Sequence, residues 1–321
     1  MNRAIVVTTI NRPSEALIKL SKLSGFRLFV AGDNKTPKDW RLKNSIFLPI
    51  DWQHKNYKKL SKLVAQNHYA RKNFAYLEAI KSKIDYLYET DDDNIPYDHF
   101  PTFHEKQDSF KQINSAGFFN VYGLFTKKNV WPRGIPLNHI KNNSYSVKKK
   151  RMFPVIQQSL ADSDPDVDAI YRLTIYEKIK FSQDLKFSLK KNVYCPFNSQ
   201  NTYWHKSVFS LLYLPSTVNS RVTDIWRGYI AQRLLWEIDS EMIFISPSVY
   251  QKRNIHNFMK DFKDELDLYL KSEELVNSLR EIELRGSIEN MLISVYKKLV
   301  KEKFFQEKEL KILETWLELL A

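Results

Sequence analysis

The chain has 321 residues, and 43% of them are apolar, which is enough to bury the core of one large domain or of one domain with an appendage. It has no run of 18 apolar residues, no signal-peptide pattern and a single cysteine, Cys195, so we expect a cytoplasmic protein without an internal disulfide. The formal charge of +13 predicts anionic partners such as nucleotide phosphates, nucleic acid or a lipid surface. Residues 271–321 hold 9 basic and 10 acidic side chains, so the basic surplus lies in residues 1–270.

The first hundred residues predict strands that alternate with helices, which is typical of a parallel α/β sheet with right-handed crossovers. The predicted strands are Ala4–Ile10, Arg27–Gly32, Ser45–Ile50 and Ile84–Thr90. The predicted helices are Ser14–Gly25, Tyr57–Ala65 and Arg71–Ile80. Residues 108–255 predict short mixed strands and loops, and from Phe258 onward the pattern becomes helical and amphipathic.

Polar side chains stand at the carboxyl ends of three of these predicted strands. They are Thr8 and Thr9, Asp33, and the triplet Asp91, Asp92 and Asp93. Because ligands of parallel α/β sheets bind at the carboxyl ends of the strands, we expect these side chains to form one site.

The acidic triplet suits a hard divalent cation, Mn²⁺ or Mg²⁺, that takes its remaining ligands from phosphates. With only 7 glycines the chain has neither G-x-G-x-x-G nor G-x-x-x-x-G-K-[ST], so phosphates would be neutralised by side chains or a metal. The alternative interpretation of the triplet is a solvated acidic loop.

A second acidic stretch, Asp162–Leu173, resembles a calcium-binding loop. However, Val167 stands where that loop requires glycine, and Leu173 stands where it requires a bidentate glutamate, which favours turn and capping roles for these aspartates.

The stretch "RVTDIWRGYIAQRLLW" places Asp224 at the predicted start of an aromatic helix. A carboxylate there is typical of a helix N-cap, and it also suits a general base held beside a sugar hydroxyl, with Trp226 as a stacking platform. Arg227 would orient an anionic group of the acceptor, and Gly228 would permit close approach of another segment.

Several longer motifs carry a resemblance to a known family. They are "VVTTINRPSEA", "GDNKTP", "VWPRGIPL", "IQQSLADSDPDVDAIYRLT", "FNSQNT" and "VTDIWRGYIAQRLLWEI". Over residues 4–255 the chain resembles the STELLO family of glycosyltransferases, known best from plant Golgi members that influence cellulose synthesis. Because this sequence has no predicted membrane span, we do not expect Golgi residence or the link to cellulose synthesis to apply to it.

The resemblance implies a GT-A fold, a mostly parallel central sheet flanked by helices with a C-terminal helical appendage. It implies a glycosyltransferase domain over 1–257, with a nucleotide-sugar-binding half at 1–107 and an acceptor half at 108–257, followed by helices at 258–321. The expected activity is metal-dependent transfer of a sugar from a nucleotide sugar, with UDP as the expected nucleotide, to a glycan or lipid-linked acceptor. An anionic membrane is a further expected partner, bound peripherally at the inner face of the cell membrane.

Within that frame each candidate residue has an expected role. Thr8 and Thr9 would contact the nucleobase and ribose, Asp33 a base N–H, and Lys35 the phosphates. Arg71 and Asn73 would reach the diphosphate or the donor sugar, and Asp91 the donor as well as the metal. The expected metal ligands are Asp91, Asp92, Asp93 and His256, with the choice among Glu89 and the triplet open; Asp224 is the expected base, and Trp226, Arg227 and Arg133 the acceptor contacts.

Two other functional classes stay open from the sequence. The D-x-W-x-G element at Asp224, Trp226 and Gly228 also resembles the reversibly glycosylated polypeptides, some of which are UDP-arabinopyranose mutases, and a mutase or self-glycosylating protein would use the same site with Arg133 as a sugar carrier. A scaffold or nucleic-acid protein would use the basic surplus without catalysis. No recognisable nucleic-acid module is present, so nucleic acid is not an expected partner.

Overall fold

The computed structural model describes residues 2–142, 144–254 and 257–320. Its strands are β1 (Arg3–Thr9), β2 (Phe26–Gly32), β3 (Ser45–Leu48), β4 (Tyr86–Thr90), β5 (Asn94–Pro96), β6 (Asp108–Asn114), β7 (Gly117–Phe118), β8 (Ser146–Met152), β9 (Ile156–Asp162), β10 (Lys186–Leu189), β11 (Val193–Tyr194), β12 (Asn201–His205) and β13 (Ile243–Gln251). Its α-helices are α1 (Glu15–Leu20), α2 (Ile50–Asn56), α3 (Lys58–Leu63), α4 (Lys72–Lys81), α5 (Ala169–Thr174), α6 (Thr223–Leu235), α7 (Phe258–Asp264), α8 (Leu266–Arg280), α9 (Ile288–Lys301) and α10 (Lys308–Leu320).

The first four strands form the parallel part of the central sheet in the order β3-β2-β1-β4. The apolar residues of β1 and β4 are buried on both faces of the sheet, as continuous runs such as "AIVV" predict, whereas Ile46 of β3 at the edge is 42% exposed. The predicted helix from Ser14 ends early, at Leu20, and Ser14 caps its start by accepting from the Leu17 N–H. Helix α2 had no counterpart in the sequence prediction, because its first residue continues the apolar run of β3.

The second half of the sheet is mixed. Strand β12 runs antiparallel between β4 and β9, β13 runs parallel to β9, and the order continues through β10 and β6 to β8 at the edge. The predicted α/β, GT-A-type fold with a C-terminal helical region is confirmed by this arrangement.

The C-terminal helices pack onto the same apolar core as the sheet. Trp316 of α10 is fully buried, with its ring centroid 6.4 Å from that of Tyr76 in α4. The Glu309 carboxylate accepts from the Tyr213 hydroxyl and from the backbone N–H groups of Ser216 (3.1 Å) and Thr217 (2.8 Å). The division at residue 257 stays a prediction, and α8, α9 and α10 all contribute buried side chains to the core that they share with the sheet.

Helix α6 runs through the middle of this core, and every one of its residues is buried. A side chain at Gly228 would place its Cβ 2.5 Å from the Phe197 carbonyl oxygen, so the backbone of the neighbouring loop fills the space that other residues would need. Within the described ranges, no helix is both long and apolar enough to cross a bilayer.

Candidate active site

A cleft of about 820 Å³ opens where β1, β2 and β4 reach their carboxyl ends. It is lined by side chains from widely separated parts of the chain, as parallel-sheet topology predicts. Among the sequence-predicted residues it gathers Thr8, Thr9, Asp33, Lys35, Asp91, Asp92, Asp93, Arg133 and Asp224.

The three carboxylates of the triplet enter this cleft with different partners. Asp91 accepts from the Tyr69 hydroxyl and lies 3.5 Å from the Lys72 ammonium, whereas Asp92 accepts from the Thr9 hydroxyl and from the Asn11 amide at 3.1 Å. Asp93 accepts from the Gln251 amide at 3.0 Å through Oδ2, and its buried Oδ1 has no hydrogen-bond partner among the described residues. Burial, together with the neighbouring carboxylates, raises the pKa of Asp93 to about 7.

These residues fit a divalent cation that binds few protein ligands. In the described part of the chain no three His, Cys, Asp or Glu side chains are grouped as a complete metal site. Mg²⁺ and similar ions need only one or two carboxylates when phosphates and water supply the rest. The orphaned Oδ1 of Asp93 is the observation that favours such an ion, and the predicted ligand His256 lies outside the described residues.

Glu89 is excluded as a metal ligand. It is fully buried below the cleft floor, and its two oxygens accept from the Arg227 guanidinium (2.8 and 3.0 Å), the Trp204 indole N–H (2.8 Å) and the Tyr76 hydroxyl. Of the four carboxylates considered as metal ligands, Asp91, Asp92 and Asp93 therefore remain candidates.

Lys72 is a residue of this site that the sequence reasoning missed. Its buried ammonium donates to the Thr90 carbonyl (2.8 Å) and to the Tyr69 hydroxyl (2.7 Å), directly behind Asp91. Burial lowers the pKa of Lys72, although the nearby Asp91 carboxylate opposes that shift. In the sequence, only the i, i+3 spacing of Tyr69 and Lys72 could have indicated that these two side chains meet at the site.

In the same cleft, Arg133 joins two buried carboxylates. Its Nε and Nη2 donate to the two oxygens of Asp166 at 2.7 and 2.8 Å, and Nη2 also lies 3.1 Å from Asp224 Oδ2. Burial disfavours the charged guanidinium, but Asp166 and Asp224 outweigh it and hold the pKa of Arg133 well above its usual value. Asp166 was missed as a site residue, because its acidic stretch was interpreted as a turn.

The Asp224 carboxylate faces the cleft and does not cap its helix. Helix α6 begins at Thr223, its N-cap is Val222 without a side-chain hydrogen bond, and Asp224 instead accepts from Arg133 and from Ser199 N–H and hydroxyl at 3.3 Å. The N-cap interpretation is therefore wrong, while the position in the cleft keeps the general-base interpretation open.

The predicted nucleotide-binding residues of β1 and β2 line the same cleft. The Asp33 carboxylate accepts from the backbone N–H groups of Asn34 (2.7 Å) and His68 (3.0 Å), which fixes it at the cleft wall. Thr8 donates to the Ala31 carbonyl, and Thr9 to Asp92. Lys35 is exposed at the rim, and no carboxylate of the described residues lies within ion-pair distance of it.

Arg71 and Asn73 are not donor-binding residues. Arg71 is fully buried, donates to the Gln53 side chain and stacks on the Phe74 ring at 4.4 Å. The Asn73 amide donates to the Leu214 carbonyl at 2.8 Å and its oxygen accepts from the Leu214 N–H at 2.9 Å. Both side chains lie inside the fold and do not line the cleft.

Trp226 and Arg227 are not acceptor contacts. Trp226 is fully buried, donates to the Ser272 hydroxyl of α8 and meets the Phe304 ring edge-on, so no sugar can stack on it. The Arg227 guanidinium is paired with the Glu89 carboxylate and is not available to an acceptor. Arg133 does line the cleft, but its donors are held by Asp166, Asp224 and the Arg221 carbonyl, which leaves little for an acceptor.

Comparison with known proteins agrees with the resemblance seen in the motifs. The family described as STELLO glycosyltransferases matches residues 221–321. Two Arabidopsis thaliana proteins, named "Probable glycosyltransferase STELLO1" and "Probable glycosyltransferase STELLO2", are 32% and 33% identical over 98% and 86% of this chain. The chain spans 44% and 39% of their lengths, less than half of each. Over most of its length the chain is similar to the STELLO family of glycosyltransferases.

Proposed function

We propose that the chain is a metal-dependent glycosyltransferase that moves a sugar from a nucleotide sugar to a glycan or lipid-linked acceptor. The observation that carries the proposal is that one cleft holds the acidic triplet at the strand ends together with the separate carboxylate Asp224. The hydroxyls of Tyr69 and Ser199 link Asp224 to Asp91. Similarity to the STELLO family supports the reaction class, and the lining of the cleft supports the placement of donor and acceptor.

The donor end is the part formed by β1, β2 and β4. Asp33 would accept from a base N–H such as uracil offers, and the exposed Lys35 ammonium would meet the phosphates. Asp91 and Asp93 would hold Mn²⁺ or Mg²⁺, which supplies positive charge to a departing diphosphate. Lys72, buried behind Asp91, offsets part of the negative charge of the triplet and, with Tyr69, fixes that carboxylate in place.

The acceptor end is the part around Asp224. An inverting transfer needs a carboxylate that takes the proton of the attacking hydroxyl on the face opposite the leaving group. Asp224 has two oxygens in the cleft wall, and its partners Arg133 and Ser199 hold them in one orientation. The acceptor hydroxyl would donate to Asp224 and transfer its proton there as its oxygen attacks the sugar.

Glycosylation of Arg133 itself is disfavoured by the same contacts. A nucleophilic guanidine must first lose a proton, and the two carboxylates around Arg133 hold its pKa well above the usual value. The same site would still serve a mutase that does not use this arginine. A mutase interconverts forms of its nucleotide sugar without an acceptor, whereas a transferase consumes the donor only when an acceptor is present, apart from slow hydrolysis.

Thermal unfolding in the presence of nucleoside diphosphates and nucleotide sugars tests the proposal directly. A ligand at a hundredfold excess over its Kd stabilises the native state by about 2.7 kcal/mol. We expect UDP to raise the Tm with Mn²⁺ and not with EDTA, and we expect Asp91→Asn together with Asp93→Asn to remove that dependence.

The matched control is Asp98→Asn with Asp184→Asn, which removes two exposed carboxylates outside the cleft and should leave the shift unchanged. Equal UDP binding with EDTA would refute the metal dependence. No shift with any nucleotide or nucleotide sugar would refute the donor site.

A further inference from the structure

Most of the basic surplus of the chain lies in one segment of the sequence. Residues 109–161 carry nine Lys or Arg side chains and no Asp or Glu. Four of the nine are consecutive, Lys148, Lys149, Lys150 and Arg151, and all four belong to β8. None of these four lines the cleft, so the donor and acceptor sites proposed above do not account for them.

Strand β8 is the outer strand at one edge of the eleven-stranded central sheet. It pairs antiparallel with β6 over all seven of its residues without a register shift, and within the described ranges no strand lies on its other side. Six of its seven residues are exposed or half-buried. The N–H and C=O groups that alternate along its outer side are therefore accessible to another strand.

The four cations of β8 point alternately to the two faces of the sheet. Lys150 stands opposite Phe110 of β6, whose ring is buried, and Lys148 lies on that same face. Lys149 and Arg151 lie on the other face. A flat partner such as a bilayer meets one face at a time, and so two of the four cations. An extended chain that lies beside β8, in the plane of the sheet, meets all four.

Three of these cations lack a counterion. Among the described residues no carboxylate lies within ion-pair distance of Lys148, Lys149 or Arg151, whereas Lys150 is paired with Glu241 at 2.7 Å. Lys149 also stands directly opposite Lys111 of β6, and like charges in that position destabilise a sheet. A bound anion would relieve this repulsion.

An acidic peptide that adds a strand to β8 would use both features of this edge. Its backbone would pair with the accessible N–H and C=O groups. Its carboxylates would pair with the cations on both faces, because consecutive side chains of a strand also point to opposite faces. An acidic glycan or a single-stranded nucleic acid would satisfy the charges without pairing with the backbone groups of the edge.

The same charges disfavour other strands at this edge. Pairing with a second copy of β8 would bring four cations against four. Lysines on an edge strand commonly protect a protein from pairing with neutral strands. An acidic strand is the one kind of strand that these side chains attract, so they would select the partner as well as protect the edge.

We propose that the outer edge of β8 binds an extended acidic segment of a partner protein by strand addition. The segment would carry Asp or Glu at consecutive positions, and such runs are typically disordered until they bind. The proposal does not rest on glycosyl transfer, because none of the four cations of β8 lines the cleft.

Fluorescence anisotropy of a labelled peptide of seven glutamates, the length of β8, tests the proposal with the full chain. We expect saturable binding at low salt that weakens as the salt concentration rises. Lys148→Gln, Lys149→Gln and Arg151→Gln together should weaken binding about tenfold, or about 1.4 kcal/mol shared by three exposed ion pairs. The peptide should also slow deuterium exchange of backbone N–H groups in residues 146–152, because those on the outer side become hydrogen-bonded.

The matched control is Lys22→Gln, Lys38→Gln and Lys43→Gln. It removes three exposed lysines that have no carboxylate at ion-pair distance in the described part of the chain, and it should bind like the unsubstituted chain. All six substitutions change exposed side chains, so both variants should keep the Tm of the unsubstituted chain.

Three results would overturn the proposal. The first is no saturable binding, or equal binding by the β8 variant and the unsubstituted chain. The second is peptide binding without slower exchange in residues 146–152. The third is tighter binding of an oligouronate or a single-stranded oligonucleotide of equal charge, which would assign the edge to that polyanion. The UDP-induced Tm shift is measured separately on the same variants, so failure of this proposal and failure of the donor site are distinguishable.

Discussion

Replacing Arg227 with methionine should lower the free energy of unfolding and should not impair acceptor binding directly. Arg227 and Glu89 are both buried, and their guanidinium and carboxylate meet in two parallel hydrogen bonds of 2.8 and 3.0 Å. Without the guanidinium, the Glu89 carboxylate keeps only the neutral donors Trp204 and Tyr76 in an apolar surrounding. Removing one partner of a buried pair costs about 3–5 kcal/mol, a large part of the 5–15 kcal/mol that holds a typical domain folded.

Urea unfolding followed by tryptophan fluorescence measures this loss. Glu89→Gln added to the Arg227→Met variant removes the orphaned charge and should recover about 2 kcal/mol or more, since the desolvation of an unpaired carboxylate is the main cost. Lys59→Met breaks an exposed pair with Glu318 and should cost about 1 kcal/mol or less. An Arg227→Met variant as stable as the unsubstituted chain, yet defective in transfer, would refute this reasoning and return Arg227 to the acceptor site.

Two further substitutions test the site and its support. Asp224→Asn should keep UDP affinity and lose roughly 10²–10⁴ in transfer rate, as general-base loss does; a full transfer rate would make Asp224 structural. Burial raises the pKa of Asp168, the N-cap of α5, to about 6, so in the folded state the charged form is disfavoured and stability falls as the pH rises from about 4 through about 6. Because Asn does not titrate, the stability of Asp168→Asn relative to the unsubstituted chain should rise by up to about 3 kcal/mol between pH 4 and pH 8 in urea unfolding. The variant should start from a deficit at pH 4, since the Asn amide has one acceptor oxygen for the two N–H groups, of Tyr171 and of the Trp131 indole, that the Asp168 carboxylate satisfies. An equal difference at both pH values would contradict this prediction.

The donor half of the cleft could be predicted because it depends on local patterns. Continuous apolar runs gave β1, β2 and β4 to within about one or two residues, and parallel topology then required Thr9, Asp33 and Asp91 to meet at one edge. Only the assumption that strands alternate with helices was needed for that inference.

The acceptor half could not be predicted in the same way. Arg133, Asp166 and Asp224 come from three distant segments, and only tertiary packing brings them together. Trp226 and Arg227 looked functional because their motif is distinctive, but α6 is buried on every side, so a distinctive sequence there reflects packing in the core. The side chains of a fully buried helix contact the surrounding core and not a ligand, so its motif reflects packing.

Packing of that kind has a consequence for the geometry of the cleft. Glu89 stands two residues before Asp91 on β4, and Arg227 stands one helical turn after Asp224 on α6. The buried Glu89–Arg227 pair therefore ties the strand that ends at the triplet to the helix that carries Asp224. Because buried pairs with two parallel hydrogen bonds tolerate little displacement, this contact helps to fix the separation between Asp91 and Asp224, which are also linked through the hydroxyls of Tyr69 and Ser199. Residues that touch neither donor nor acceptor thus decide how far apart a departing diphosphate and an attacking hydroxyl would lie.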